Sequence, residues 1–172
     1  DWQREFKNFS TYGVGFQYNT SHKSYISLAY SGFYELLGGQ QLSNNKITDS
    51  NGLSFYDSNI VRDELEMNNS LSLNYNHTID TLGSTLFIGG QYTHFDSKMD
   101  NDITEENEEI NGTTSRLLNN LFDLNLSLLS GQVDYTKHYP NKTTLEFGSK
   151  FSQIENESGV DFLVSNNAID YT

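Results

Sequence analysis

Six carboxylates fall within one short stretch, "KMDNDITEENEEINGTTS": Asp100, Asp102, Glu105, Glu106, Glu108 and Glu109. Carboxylate oxygens are hard ligands suited to calcium, so weak cation binding in an external loop is the chemistry this run offers. The spacing matches no calcium-loop signature, and a Glu-rich segment that simply stays solvated is the competing expectation. The histidines, His22, His77, His94 and His138, show no HxH or HExxH spacing, which leaves zinc without support. His94 and Asp96 are expected to share one side of a strand. The chain contains no cysteine, which removes disulfides, thiolate chemistry and sulfur-ligated metals.

Nucleophilic catalysis needs a nucleophile, a base and an orienting group held together. No GxSxG is present, and neither "GVG" at 13–15 nor the "GG" pairs at 38–39 and 89–90 lead into a phosphate-binding GxxxxGK. Gly89 and Gly90 instead fit a strand bend or a position opposite a bulky neighbour. No catalytic residue, cofactor or metal ligand is assigned. The expected role is non-catalytic.

Charge narrows the partners. The chain carries a net charge of -13 with only ten Lys and Arg, none in a basic run. Such a surface repels nucleic-acid phosphates, so nucleic acid is not an expected partner. Apolar residues make up 35% of the 172 residues, low for a packed soluble domain, while aromatics reach 13%, high for a disordered one. The opening "DWQREFKNFS" lacks the apolar core of a signal peptide, and no run suits a membrane helix. A membrane barrel strand crosses with about 9–11 alternating residues, a much quieter signal.

That alternation is what the chain offers. Tyr12, Val14, Phe16 and Tyr18 step by two, "NTSHKS" interrupts at 19–24, and Ile26, Leu28 and Tyr30 continue, followed by Gly32 and Tyr34. Leu71, Leu73 and Tyr75 repeat the plan, "DTLG" turns at 80–83, and Leu86, Ile88, Gly90 and Tyr92 return. A third block runs through Leu124, Leu126 and Leu128 to Tyr135. There "KHYPNK" turns at 137–142, and Leu145, Phe147 and Phe151 follow, with Ser149 interrupting. Pro140 falls in a turn, where its missing N–H costs nothing. Tyr18, Tyr75 and Tyr135 each close a strand ahead of a short turn, which makes the blocks a weak internal repeat of three long hairpins. The segments between them, 38–54 and 97–115, are rich in Asn, Ser, Asp and Gly and read as long loops. Short turns then gather at one end of the sheet and long loops at the other.

Alternation alone does not separate a barrel in lipid from a sandwich in water. Three features favour lipid. The strands span roughly 12 to 20 residues, against about 5–6 in soluble sheets. The non-apolar face is Asn, Ser, Gln, Thr and Gly, which suits a wet interior. Tyrosines sit near strand ends, where a ring meets apolar chains and a hydroxyl meets headgroups. A soluble extracellular β-rich adhesion or carbohydrate-binding module remains the alternative and would require a second apolar layer. A small barrel enzyme would bring Ser, His and Asp together at one rim. A sheet in hydrocarbon must also close, and six strands fall short of the usual minimum of about eight.

The hairpin "NSLSLNYNHTIDTLGSTLFIGGQYTHF", above all "LNYNHTIDTLGSTL" at 73–86, resembles those of the outer-membrane β-barrel proteins of Bacteroidetes related to TonB-dependent receptors. "GQVDYTKHYPNKTTLEFGSKFSQIENE" at 131–157 is similar to a later hairpin, and "NNAIDYT" to the segment after the next external loop. The resemblance covers most of residues 9–172. It implies an all-β fold: an antiparallel up-and-down meander of long hairpins, part of a transmembrane β-barrel in the bacterial outer membrane. Residues 1–172 would be a single β domain and an internal slice of a larger barrel. Its partners would be outer-membrane lipid, the remainder of its own barrel and plug, the TonB system acting through the parent protein, and an unidentified ligand.

Overall fold

The computed structural model describes residues 2–49, 52–109 and 112–169. Six strands form one sheet in the order in which they occur in the chain. They are β1 (Trp2–Ser21), β2 (Ser24–Asp49), β3 (Gly52–Thr78), β4 (Thr85–Glu109), β5 (Gly112–His138) and β6 (Thr144–Ile169). Every neighbouring pair is antiparallel, so the sheet is an uncrossed meander. β1 pairs only with β2 and β6 only with β5 among the described residues.

The strands are 20 to 27 residues long. At about 3.3 Å per residue the longer ones extend roughly 85–90 Å, well beyond what a bilayer core requires. This length corrects the expectation of long irregular loops at 38–54 and 97–115. The described residues there are strand: β2 runs on to Asp49 and pairs there with Gly52, and β4 runs on to Glu109 and pairs with Gly112. Asn, Ser and Asp content suggests a loop, but these side chains bond across the ladder. Gln40 Nε2 donates to Asn59 Oδ1 (3.0 Å) and Asn119 Nδ2 to Asp102 Oδ1 (2.7 Å).

At the other end the connections are tight, as expected. Residues 22–23 join β1 to β2, 79–84 join β3 to β4, and 139–143 join β5 to β6. Gly83 takes φ +88° in the second turn and Lys142 φ +66° in the third, so only the second places a glycine where the left-handed region favours one. The hydrogen-bond ladder shifts by one residue between Asn19 and Ser21, next to the first turn.

No hydrophobic side chain among the described residues is fully buried. Among the described residues the sheet has no second layer over it. A sandwich would close a dry core between two sheets; here Leu71 is 45% exposed, Leu73 54% and Ile88 43%.

Candidate functional site

The register assembles the alternating apolar residues into a band on one face, across all six strands. One row reads Phe16, Leu28, Leu73, Gly90, Gly131, Phe151, and the next Tyr18, Ile26, Tyr75, Ile88, Val133, Ser149. Above them lies Val14, Tyr30, Leu71, Tyr92, Leu129, Gln153; below lies a row with Leu86, Tyr135 and Phe147. From Asn69 to His77 the band covers a path of about 26 Å along the strand. With a tilt of about 35–45° this projects to about 20 Å, and the apolar band of outer-membrane barrels is about 25 Å tall.

Tyrosines border the band on both sides. Tyr18, Tyr75 and Tyr135 lie toward the short turns, and Tyr135 packs its ring 5.3 Å from that of Phe147. Tyr12, Tyr30 and Tyr92 lie toward the long extensions. Here the hydroxyls are satisfied within the sheet: Tyr12 and Tyr30 both donate to Asn69 Oδ1, at 2.6 and 2.5 Å. Tyr92 Oη meets Ser127 Oγ at 3.3 Å. An amphipathic ring at each boundary presents carbon to the band and oxygen to water, which is the chemistry of an interfacial girdle. Tyr12 also covers Gly32, where a Cβ would lie 2.8 Å from its ring. An aromatic side chain thus fills the gap a glycine leaves in the next strand.

The opposite face is polar at the height of the band: Gln17, Ser27, Asn74, Gly89, Gln132 and Lys150 make one row, and Gly15, Ala29, Ser72, Gln91, Ser130 and Ser152 the next. Farther from the short turns it changes character. Phe33 lies 5.7 Å from Phe9 and 6.4 Å from Phe95, ring to ring. Leu124 and Leu126 lie there too, and Leu128 lies on the same face beside Thr93 at the upper edge of the band, all three opposite to Leu129, Val133 and Tyr135, so the third block's apolar run does not feed the band as one set.

A compact hydrogen-bonded knot closes the short-turn end. Asp80 Oδ1 accepts from the Leu82 and Ser84 amides at 3.0 and 3.1 Å. Asp80 Oδ2 accepts from Ser84 Oγ at 2.9 Å and from Lys137 Nζ at 2.6 Å. Ser84, fully buried, accepts in turn from the His138 amide at 3.0 Å. The Lys137 contact, with the Ser84 hydroxyl and amide, holds the Asp80 carboxyl well below the usual carboxylate range, and the same contact raises Lys137 above its ordinary value. Nothing local in "DTLGS" marks this knot beyond an Asx turn, because its cation arrives from residue 137.

The six carboxylates singled out by sequence do not form one site. Asp100, Asp102, Glu106 and Glu108 share the face that carries the band, and Glu105 points to the other. Asn119 Nδ2 donates to both Asp100 Oδ1 and Asp102 Oδ1 at 2.7 Å. Glu109 ends β4. No group of three or more His, Asp and Glu converges among the described residues. The histidines also remain apart. His77 Nδ1 meets Ser24 Oγ at 2.7 Å with no carboxylate on the ring, and His138 Nδ1 meets Thr144 Oγ1 at 3.0 Å. His94 lies 3.0 Å from Asp96 and 3.0 Å from Ser127, on one face as expected.

A single meander of long hairpins with an exposed apolar band and a polar reverse face defines the class of membrane β-barrel walls. The sequence profile of the outer membrane protein beta-barrel family matches residues 77–172, more than half of the chain, and the chain belongs to that family. It is therefore a bacterial outer-membrane β-barrel protein. No curated protein matches it. Among solved structures, the membrane pore complex of pneumolysin is 7% identical over 94% of this chain and 31% of its own, with a TM-score of 0.21. OccK8 (OprE) of Pseudomonas aeruginosa is 8% identical over 87% of this chain and 58% of its own, with a TM-score of 0.14. The chain spans less than two thirds of either, and neither superposition carries an argument.

Proposed function

We propose that the chain is a section of the wall of a receptor-type outer-membrane transporter, akin to the TonB-dependent receptors of Bacteroidetes, which takes up a ligand from the medium. The observation that carries this reading is the apolar band on a single sheet whose reverse face is polar at the same height. Lipid covers the band, and the polar rows line an aqueous interior. The free edges of β1 and β6 would leave backbone groups unpaired in hydrocarbon, so further strands of the parent barrel lie against them. Residues 2–169 are one part of that wall, and a plug occupies the interior in the parent protein. The strand extensions carrying Asp100, Asp102, Glu105, Glu106, Glu108 and Glu109 stand outside the membrane as a charged, solvated rim with at most weak affinity for cations.

The experiment is a comparison of nutrient depletion from the medium by cells with and without the gene, each with and without a protonophore. Loss of uptake of one compound on deletion, matched by the protonophore, is the expected result. Identical depletion in all four cultures overturns the transport reading.

A further inference from the structure

The interior face above the band holds a groove of about 630 Å³, and its neighbours suggest what fills it. Leu37, Ile60, Met99 and Ile103 give it an apolar floor, on the part of this face where apolar and charged side chains replace the amides and hydroxyls found at the height of the band. Gly39 keeps that floor low: a Cβ there would come 3.0 Å from the Arg4 carbonyl oxygen. Toward the membrane, the next row places Glu35 directly opposite Glu66, and the row after that carries Phe33 and Phe95. Groove, carboxylates and aromatic rings therefore follow one another at steps of about 7 Å, two residues of strand.

The charges around the groove do not cancel. Lys7 Nζ pairs with Glu35 at 2.5 Å, and Arg62 pairs with Glu64. Two of the three cations lining the groove are thereby paired, and the third, Arg4, alternates onto the other face of β1. Glu66, placed opposite Glu35 and two residues from Glu64, forms no ion pair within 4.0 Å among the described residues, although the Lys7 and Arg62 charges offset part of its own. Two aromatic faces beside a carboxylate that has two like charges near it and no ion pair of its own favour a cation, which gains from both the charge and the ring quadrupoles. An anion would meet that carboxylate and find Lys7 and Arg62 already occupied.

We propose that this groove is a ligand subsite for a small cationic amphiphile: an ammonium group seated between Glu66 and the Phe33–Phe95 rings, with an alkyl tail lying over Leu37 and Met99 at the near end of the groove. The inference deepens the uptake reading above, from which it takes the assignment of this face to the interior, and it names the class of ligand.

The test uses the full chain in a non-ionic maltoside detergent, with its sheet content verified by circular dichroism. Hexyltrimethylammonium and hexanoate are titrated separately and followed by saturation-transfer NMR. Saturable binding of the cation, at least about tenfold tighter than hexanoate, is expected. Glu66→Gln should weaken it about tenfold, and Phe33→Leu should weaken it by a smaller factor. Removing an unpaired carboxylate relieves repulsion, so Glu66→Gln keeps the fold, and its circular dichroism checks this. Equal binding of the two probes, tighter binding of hexanoate, no saturable binding, or binding of the cation indifferent to Glu66→Gln each overturns the proposal. The two readings fail separately: absent cation binding alongside protonophore-sensitive uptake removes only this subsite, whereas unchanged depletion in the deletion strain removes the transport role whatever the groove binds.

Discussion

Lys137 Nζ lies 2.6 Å from Asp80 Oδ2 and so ties the β3–β4 turn to the end of β5. It reinforces the bond from the His138 amide to Ser84 Oγ, which joins the same two segments. The pair predicts a pH window. Asp80 has its carboxyl depressed in the folded state, so its contribution is fully present above the ordinary carboxylate value of about 4 and is lost as pH falls through the lowered folded value. Lys137 is raised, so its contribution is present below its ordinary value of about 10.4 and is lost as pH rises through the folded value. Thermal unfolding of the chain in micelles should thus be least pH-dependent between about pH 5 and 9. Asp80→Asn should unfold at lower temperature in that range and lose part of the acid-side slope. An unchanged slope would mean that the knot does not contribute to stability.

A second prediction concerns Gly32. A Cβ there would run into the Asn68 carbonyl oxygen of β3 and would also press on Tyr12, disturbing the hydroxyl that donates to Asn69. Gly32→Ala should destabilise by about 1–3 kcal/mol, the range for overpacking. Gly159, with open space around its Cβ position, should tolerate Ala with a change within about 0.5 kcal/mol. Unfolding in urea from lipid vesicles compares the two.

How much of this was readable in the sequence depends on which neighbours a residue needs. The band rows were legible because Tyr12 to Tyr18 and Leu86 to Tyr92 alternate without interruption, and a period of two needs no partner to be recognised. The strand extensions were not. Residues such as Asn59 and Asn119 have turn-forming composition, and only their cross-strand partners, Gln40, Asp100 and Asp102, make them strand. In β5 the consecutive Leu128 and Leu129 belong to opposite faces, so the apolar run straddles both and no single face can be read from it. The Asp80 knot depends on Lys137, far away in the chain, which no local pattern announces. The groove floor was hidden for the same reason, since Leu37, Ile60, Met99 and Ile103 come from three different strands.

The acidic rim gives a third prediction. Asn119 donates to two carboxylates that would otherwise face one another along β4. Asn119→Asp should place a third negative charge there and loosen the extension, whereas Asn119→Ala removes only the donor. Hydrogen exchange at residues 100–104 should speed up more in the Asp variant than in the Ala variant. Equal rates would show that the contact is incidental.

The band itself predicts an asymmetry between adjacent residues. Leu73→Arg puts a charge on the lipid side near mid-height and should cost about 2–4 kcal/mol in vesicles. Ser72→Arg, on the reverse face, should cost under about 1 kcal/mol. Equal costs would contradict the assignment of the two faces.

The most direct measurement places a nitroxide label, one cysteine at a time, at each position from 71 to 78 of the chain in lipid vesicles and records its accessibility to oxygen and to a water-soluble nickel reagent. Labels at 71, 73 and 75 should favour oxygen, and those at 72, 74 and 76 should favour nickel, alternating at every step. Uniform nickel accessibility along the strand, or an alternation of the opposite sign, would contradict the claim that the apolar band faces lipid.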